Sequence, residues 1–215
     1  MSFEGWPEAA LDFYDGLEED NSKAYWMAHR DIYETCVLAP MAELLAELEP
    51  EHGETKIYRP YRDVRFSKDK SPYKTAIAAH AGDGYIQLSA AGLAVGSGLY
   101  VMASDQLERY RTAVAAESSG AELEQIIAGL RKHDIEVQGR ESLKSAPRGY
   151  PTDHPRAELL RHKGLFAWKE WPVEPWLATP AAKAKVADFL VATRPFGQWL
   201  TLHVGSAAET AGRGR

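Results

Sequence analysis

Cysteine is nearly absent: Cys36 is the one thiol among 215 residues, which excludes an internal disulfide and suits a reducing cytoplasm. No apolar run approaches the ~20 residues needed to cross a bilayer, so no membrane partner is expected. Positive charge is not in surplus. Lys and Arg number 25 against 31 Asp and Glu, a net −6 that argues against general non-specific binding to nucleic acid. The opening Met-Ser-Phe-Glu-Gly-Trp-Pro has no basic or apolar leader region, so no secretory signal is expected. Familiar reaction signatures are missing too. There is no GxxxxGK[ST] loop, and Gly96-Ser97-Gly98 matches neither GxGxxG nor GxSxG. Ser67-Lys68-Asp69-Lys70 matches S-x-x-K without its companion motifs, in a stretch that reads as a turn. No Ser/His/Asp triad follows from residue order, and no motif names a cofactor.

What is present reads as a globular α+β chain, 45% hydrophobic and 26% charged, without repeats. Trp6, Ala10, Phe13 and Leu17 give one apolar face to a helix over about 7–17, with Asn21 as N-cap of the next. That second helix carries Tyr25, Ile32 and Cys36 beside Trp26, Tyr33 and Val37. Pro40 ends or kinks it before Leu44, Leu45 and Leu48 resume the pattern. A strand is expected over Lys56–Ser67, and a pair over Tyr85–Leu88 and Leu93–Met102. Helices follow around Leu107–Val114, capped by Ser104 or Asp105, and around Leu123–Leu130, then a strand near Ile135–Val137. A short helix over about 156–163 stops at Gly164, ahead of a strand at Leu165–Trp168. The last helix spans about 180–192, followed by a separate apolar segment, Phe196–Val204. Residues 1–204 read as one domain with a mostly antiparallel sheet flanked by helices, and 205–215 as a disordered tail.

Charge is unevenly spread. The segment Lys56–Lys74 holds seven cations, Lys56, Arg59, Arg62, Arg65, Lys68, Lys70 and Lys74, against Asp63 and Asp69. It is net +5 in a chain whose remainder is −11. Strand alternation would put Arg59, Asp63 and Arg65 with Ile57 and Tyr61, and Arg62 and Lys68 with Val64 and Phe66. Neither face is cleanly apolar. Arginine forks among aromatic rings suit a phosphate or carboxylate and a flat ring, which suggests a pocket for a small anionic, nucleotide-like ligand. If chemistry occurs there, the cations would stabilise developing charge and Asp63 or Asp69 would be the base. Two other readings stand beside this one. The segment is a nucleic-acid-binding module, its cations interleaved with Tyr58, Tyr61, Phe66 and Tyr73. Or its arginines pair internally in a structural ion network without a ligand.

A second basic island lies in Leu143–Lys163. Lys144 and Arg148 precede Gly149-Tyr150-Pro151, and prolines on both sides restrict the backbone around Arg148. These two cations would meet the first island across one cleft. Asp153 reads as the cap of the following helix. His154, Glu158 and His162 would share a helix face, but HExxH is absent and no cysteine accompanies them, so no metal site is assigned. His29, Cys36 and the six tryptophans read as packing residues.

Several stretches together resemble the bacterial and fungal DUF2461 family. They are LEEDNSKAYWMAHRDIYE at Leu17–Glu34, RPYRDVRFSKDKSPYKT at Arg59–Thr75, GYIQLSAAGL at Gly84–Leu93, DQLERYR at Asp105–Arg111 and LKSAPRGYPTDHPRAELLRHKGL at Leu143–Leu165. They span most of residues 3–204, with Tyr25-Trp26 where many members have Trp-Phe. The resemblance implies a single α+β domain in the cytoplasm and brings no established activity, cofactor or catalytic residue.

Overall fold

The computed structural model describes residues 2–65 and 68–208. The chain forms two compact units, Met1–Gly96 with Lys169–Leu190 and Ser97–Trp168 with Val191–Arg215. Six strands are hydrogen-bonded in the order β1-β2-β3-β4-β6-β5: β1 Thr55–Ile57, β2 Ala76–Ala81, β3 Gly84–Ser89, β4 Gly92–Leu99, β5 Glu136–Gln138 and β6 Leu165–Trp171. The sheet is antiparallel and the class is α+β. Among the described residues, no helix is long and apolar enough to cross a membrane.

In the first unit, α1 (Glu8–Glu19) buries Ala10, Phe13 and Leu17, with Trp6 just ahead of it. Helix α2 (Lys23–Ala28) is capped by Ser22, whose hydroxyl accepts from the Tyr25 amide, and not by Asn21. A short α3 (Arg30–Ile32) passes into a π-helical turn, Tyr33–Leu38, and then α4 (Ala39–His52). Pro40 therefore does not end the helix. It occupies the first turn of α4, and the turn before it has widened to i+5 spacing, where a missing N–H is tolerated. Strands β1, β2 and β3 pair in register, Ile57↔Ala79↔Ile86 and Lys56↔His80↔Tyr85. Ile77, Ala79, Ala81, Ile86 and Leu88 face the core.

The expected long strand at 56–67 is shorter. Strand β1 stops at Ile57; Tyr58 N still donates to Ala78 O, and further on the chain pairs with the segment leading into β2 through an isolated Tyr61↔Tyr73 bridge. Pro60 accepts from Lys74 N but has no N–H to donate, so the strand is interrupted between Ile57 and Tyr61. Phe66 and Ser67 lie outside the described residues. Strand β2, Ala-Ile-Ala-Ala-His-Ala, had no counterpart in the sequence reading.

In the second unit, α5 (Ser104–Ala115) starts after Ala103, whose amide donates to the Gln106 side chain at 3.0 Å, so neither Ser104 nor Asp105 is the cap. Helix α6 is Glu117–Arg131 and α7 is only Ala157–Arg161. The α7 N-cap is Arg156, whose guanidinium is buried and held by Glu124 at 2.8 Å; Asp153 is exposed and does not cap. Gly164 has no left-handed backbone and lies against the Tyr100 carbonyl, so it is a close-approach residue and not a helix stop. Helix α8 runs unbroken over Ala181–His203, through Pro195, which replaces the two separate segments expected there. Pro195 sits on the exposed side while Phe189, Phe196 and Trp199 keep the buried side continuous. Of the expected tail, residues 209–215 lie outside those described. Gly205 accepts from the Gln106 side chain at 2.8 Å and Ser206 from Arg109 at 2.7 Å.

Gly92 shows why the β3–β4 hairpin needs glycine. Its φ is 121°, and a Cβ there would run into the Trp171 carbonyl oxygen. Gly92→Ala is expected to destabilise the fold by about 2 kcal/mol, read as a lower urea midpoint.

Candidate functional site

The basic segment of the first unit is a hairpin whose two legs are held well back from its tip. Tyr58 N donates to Ala78 O, Lys74 N to Pro60 O and Arg62 N to Pro72 O, each at 2.8 to 2.9 Å. Beyond these bonds the chain leaves the ladder; the described residues of the tip are 63–65 and 68–71. Asn21, in the α1–α2 connection, fixes the returning leg. Its Nδ2 donates to Tyr73 O at 3.1 Å and its Oδ1 accepts from Tyr73 N at 3.0 Å, so the amide imitates a neighbouring strand. The Tyr73 ring lies flat on buried Trp26, centroids 4.3 Å apart and planes 4° off parallel. Tyr61 covers the stack from outside and is 51% exposed.

At the tip the two acids are taken by local donors. Asp63 grips Arg65 with both oxygens, at 2.9 Å from Nε and 2.6 Å from Nη2. Asp69 pairs with Arg62, and its other oxygen accepts from the Ser71 amide at 2.9 Å. Lys70 donates to Val64 O at 2.9 Å, closing the loop on itself. The hydrogen bonds from Arg65 hold the Asp63 carboxyl below its ordinary range, and Arg59 adds to this through space. Ser71, through hydroxyl and amide, and then Arg62 do the same for Asp69. Carboxylates held anionic in this way make poor general bases, because a base works best with a pKa near the operating pH. Lys56, Arg59 and Lys68 are exposed and, among the described residues, carry no ion pair; Lys74 Nζ stands 5.7 Å from the Tyr58 ring centre.

Lys144 and Arg148 belong to the second unit, so neither unit alone contains both basic islands. Both are exposed. Arg148 stands at the corner of a turn closed by Tyr150 N donating to Pro147 O, with Gly149 at φ 94°. The His154, Glu158, His162 series does not share one helical face, because α7 begins only at Ala157. His154 Nδ1 accepts from the Arg156 amide, Glu158 pairs with Arg161, and His162 Nδ1 lies 2.7 Å from the Ser142 hydroxyl. Burial pushes the His162 imidazole below its ordinary pKa, which favours the neutral ring. Among the described residues, no group of three or more His, Cys, Asp or Glu side chains is placed to hold a metal ion. His29 stacks on Tyr25 at 4.1 Å, and Cys36 is half-buried beside Thr35.

His80 and Gln87 carry no expectation from the sequence, Tyr85 is expected only as a strand residue, and Asn21 is expected as a helix cap, not as the partner of Tyr73. Asn21 pairs with a residue 52 positions away, which no local pattern announces. The other three become visible only once the alternation of β2 and β3 is known.

Two measurements check this geometry. Asn21→Ala leaves the Tyr73 amide and carbonyl unpaired and frees the hairpin, so trypsin is expected to cut after Arg65, Lys68 or Lys70 about tenfold faster; an unchanged rate would show that the clamp is not needed. Both tip carboxyls are expected to titrate below their ordinary value of 3.8 when followed by carbon-13 NMR. The sign follows from the lowered pKa: the tip pairs contribute fully above that value and are lost as pH falls through the folded-state pKa. A midpoint at or above 3.8 for Asp63 would contradict the Arg65 pairing.

A search of curated proteins finds no match, and a search of solved structures finds none either. The family described as conserved hypothetical protein (DUF2461) matches residues 9–199, which include the clamp, the hairpin and the strands that carry them. The chain therefore belongs to the DUF2461 family.

Proposed function

We propose that the first unit binds a small phosphorylated anion on its basic hairpin, with Arg59 as the principal contact and Lys56, Lys68 and Lys74 beside it. The observation that carries this reading is the state of Arg59. It is exposed, without an ion pair among the described residues, and its sequence neighbours Tyr58 and Tyr61 are 37% and 51% exposed. Asp63, the acid that feels the charge of Arg59, is already bonded by Arg65. Arg62, Arg65 and Lys70 then serve to shape the tip, which is the structural-network reading confined to those three residues. Surface pairs of this kind hold a loop geometry but add little stability. A nucleic-acid strand is the second ligand class compatible with cations among rings, and the net −6 charge weighs against it. The lone thiol supports a cytoplasmic setting, where phosphorylated metabolites are abundant.

Thermal-shift measurements with inorganic phosphate, phosphorylated sugars and nucleotides test the proposal. A bound anion at 100 times its Kd is expected to add about 2.7 kcal/mol of stability. Arg59→Ala should abolish the shift without changing the unliganded melting temperature. Failure of every anion to shift the wild type, or an equal shift in Arg59→Ala, overturns it.

A further inference from the structure

Strands β1 to β3 present two unlike faces. One supplies the core; the other carries Lys56, His80 and Tyr85 in one cross-strand row and Ala78 and Gln87 in the next, with Tyr58 bonded alongside Ala78. On this face Ala78 is buried and Ala76 half-buried. The Tyr58 hydroxyl lies 3.2 Å from His80 Nδ1, and its ring meets those of His80 at 5.7 Å and Tyr85 at 6.3 Å. The Tyr85 hydroxyl donates to Gln87 Oε1 at 2.9 Å, which orients the amide and leaves Nε2 as a donor. Tyr58 is 37% exposed, so part of its ring is open to a ligand. Lys74 faces that same ring, and Arg59 follows Tyr58 in the chain.

From this arrangement we infer that the anion is a mononucleotide, its base stacked on the Tyr58–Tyr85 platform and its phosphate held by Lys56 and Lys74 together with Arg59. The inference rests on the anion-binding reading and names the ligand class of that site. Flat rings stack on aromatic side chains whichever base they carry, and the amide of Gln87 and the imidazole of His80 offer polar atoms to a base edge. Lys74, 5.7 Å from the Tyr58 ring centre, and Lys56, in the row of His80 and Tyr85, place positive charge at the platform for the single phosphate of such a ligand. A long strand would need a basic track along its whole length.

Calorimetric titration of the purified full chain separates the two halves of the ligand. The probes are the four ribonucleoside 5′-monophosphates, adenosine, ribose 5-phosphate and a ten-nucleotide single strand. At least one monophosphate is expected to bind about tenfold more tightly than ribose 5-phosphate. Tyr58→Ala should remove that advantage and leave ribose 5-phosphate unaffected, while Tyr58→Phe keeps it. Tyr85→Leu gives the same loss by an independent variant if Tyr58→Ala folds poorly. Arg59→Ala should weaken ribose 5-phosphate and the monophosphates by the same factor and adenosine not at all. Equal affinity for ribose 5-phosphate and every monophosphate overturns the platform and leaves the anion site standing. Binding of adenosine without any gain from phosphate overturns the anion site and leaves the platform. Strand binding that falls steeply with salt, with no monophosphate bound, overturns the mononucleotide in favour of nucleic acid. No binding by any probe removes both.

Discussion

One side-chain amide sets the position of everything proposed for the first unit. Asn21 satisfies both backbone groups of Tyr73, and without it those groups would face the α1–α2 connection unpaired. With the leg fixed there, Tyr73 lies flat on Trp26, Tyr61 closes over the pair, and the bridge between Tyr61 and Tyr73 keeps the outgoing leg in register. The basic residues inherit their places from this chain of contacts. A flexible loop with the same composition would present the same charges, but it would bear the cost of ordering them each time a ligand bound.

Within the tip, charge neutralisation is local and short-range. Asp63 and Asp69 each bond groups within seven residues, so the acids shape the loop that contains them and are not spent on distant helices. That arrangement makes the surplus of positive charge directional. Arg62 and Arg65 are engaged, while Arg59 and Lys56, nearer the sheet, carry no ion pair among the described residues. Lys56 and Lys74 carry part of that surplus to the aromatic face of β1 to β3.

Much of the architecture was legible in the chain before any coordinates. Trp6, Ala10, Phe13 and Leu17 recur at helical spacing and are all buried, and the β3–β4 pair was announced by apolar segments around a short turn ending in Gly92. Strand β2 escaped because four of its six residues are alanine, whose own preference is helical; pairing with β1 and β3 decides its state. Pro40 misled for the opposite reason, and the last helix was divided where Pro195 lets it run on. A local rule reads proline as a stop, but a widened turn absorbs the first and an exposed position the second. At the candidate site, the concentration of cations was visible in composition, and the division between engaged and unengaged ones was not, since it depends on which carboxylate oxygen each guanidinium reaches.

The π-helical turn at Tyr33–Leu38 also governs the phase of the long N-terminal helical stretch. Tyr33, Val37, Met41 and Leu45 are all buried and stand four residues apart. On a regular α-helix each such step overshoots a full rotation by about 40°, so the series would wind away from the core. One wide turn takes back part of that rotation and keeps the four side chains on a single wall. Loss of one residue from the segment would restore ordinary winding and leave α4 in nearly the same phase, so the wide turn is the place where this stretch absorbs a residue without disturbing the wall on either side.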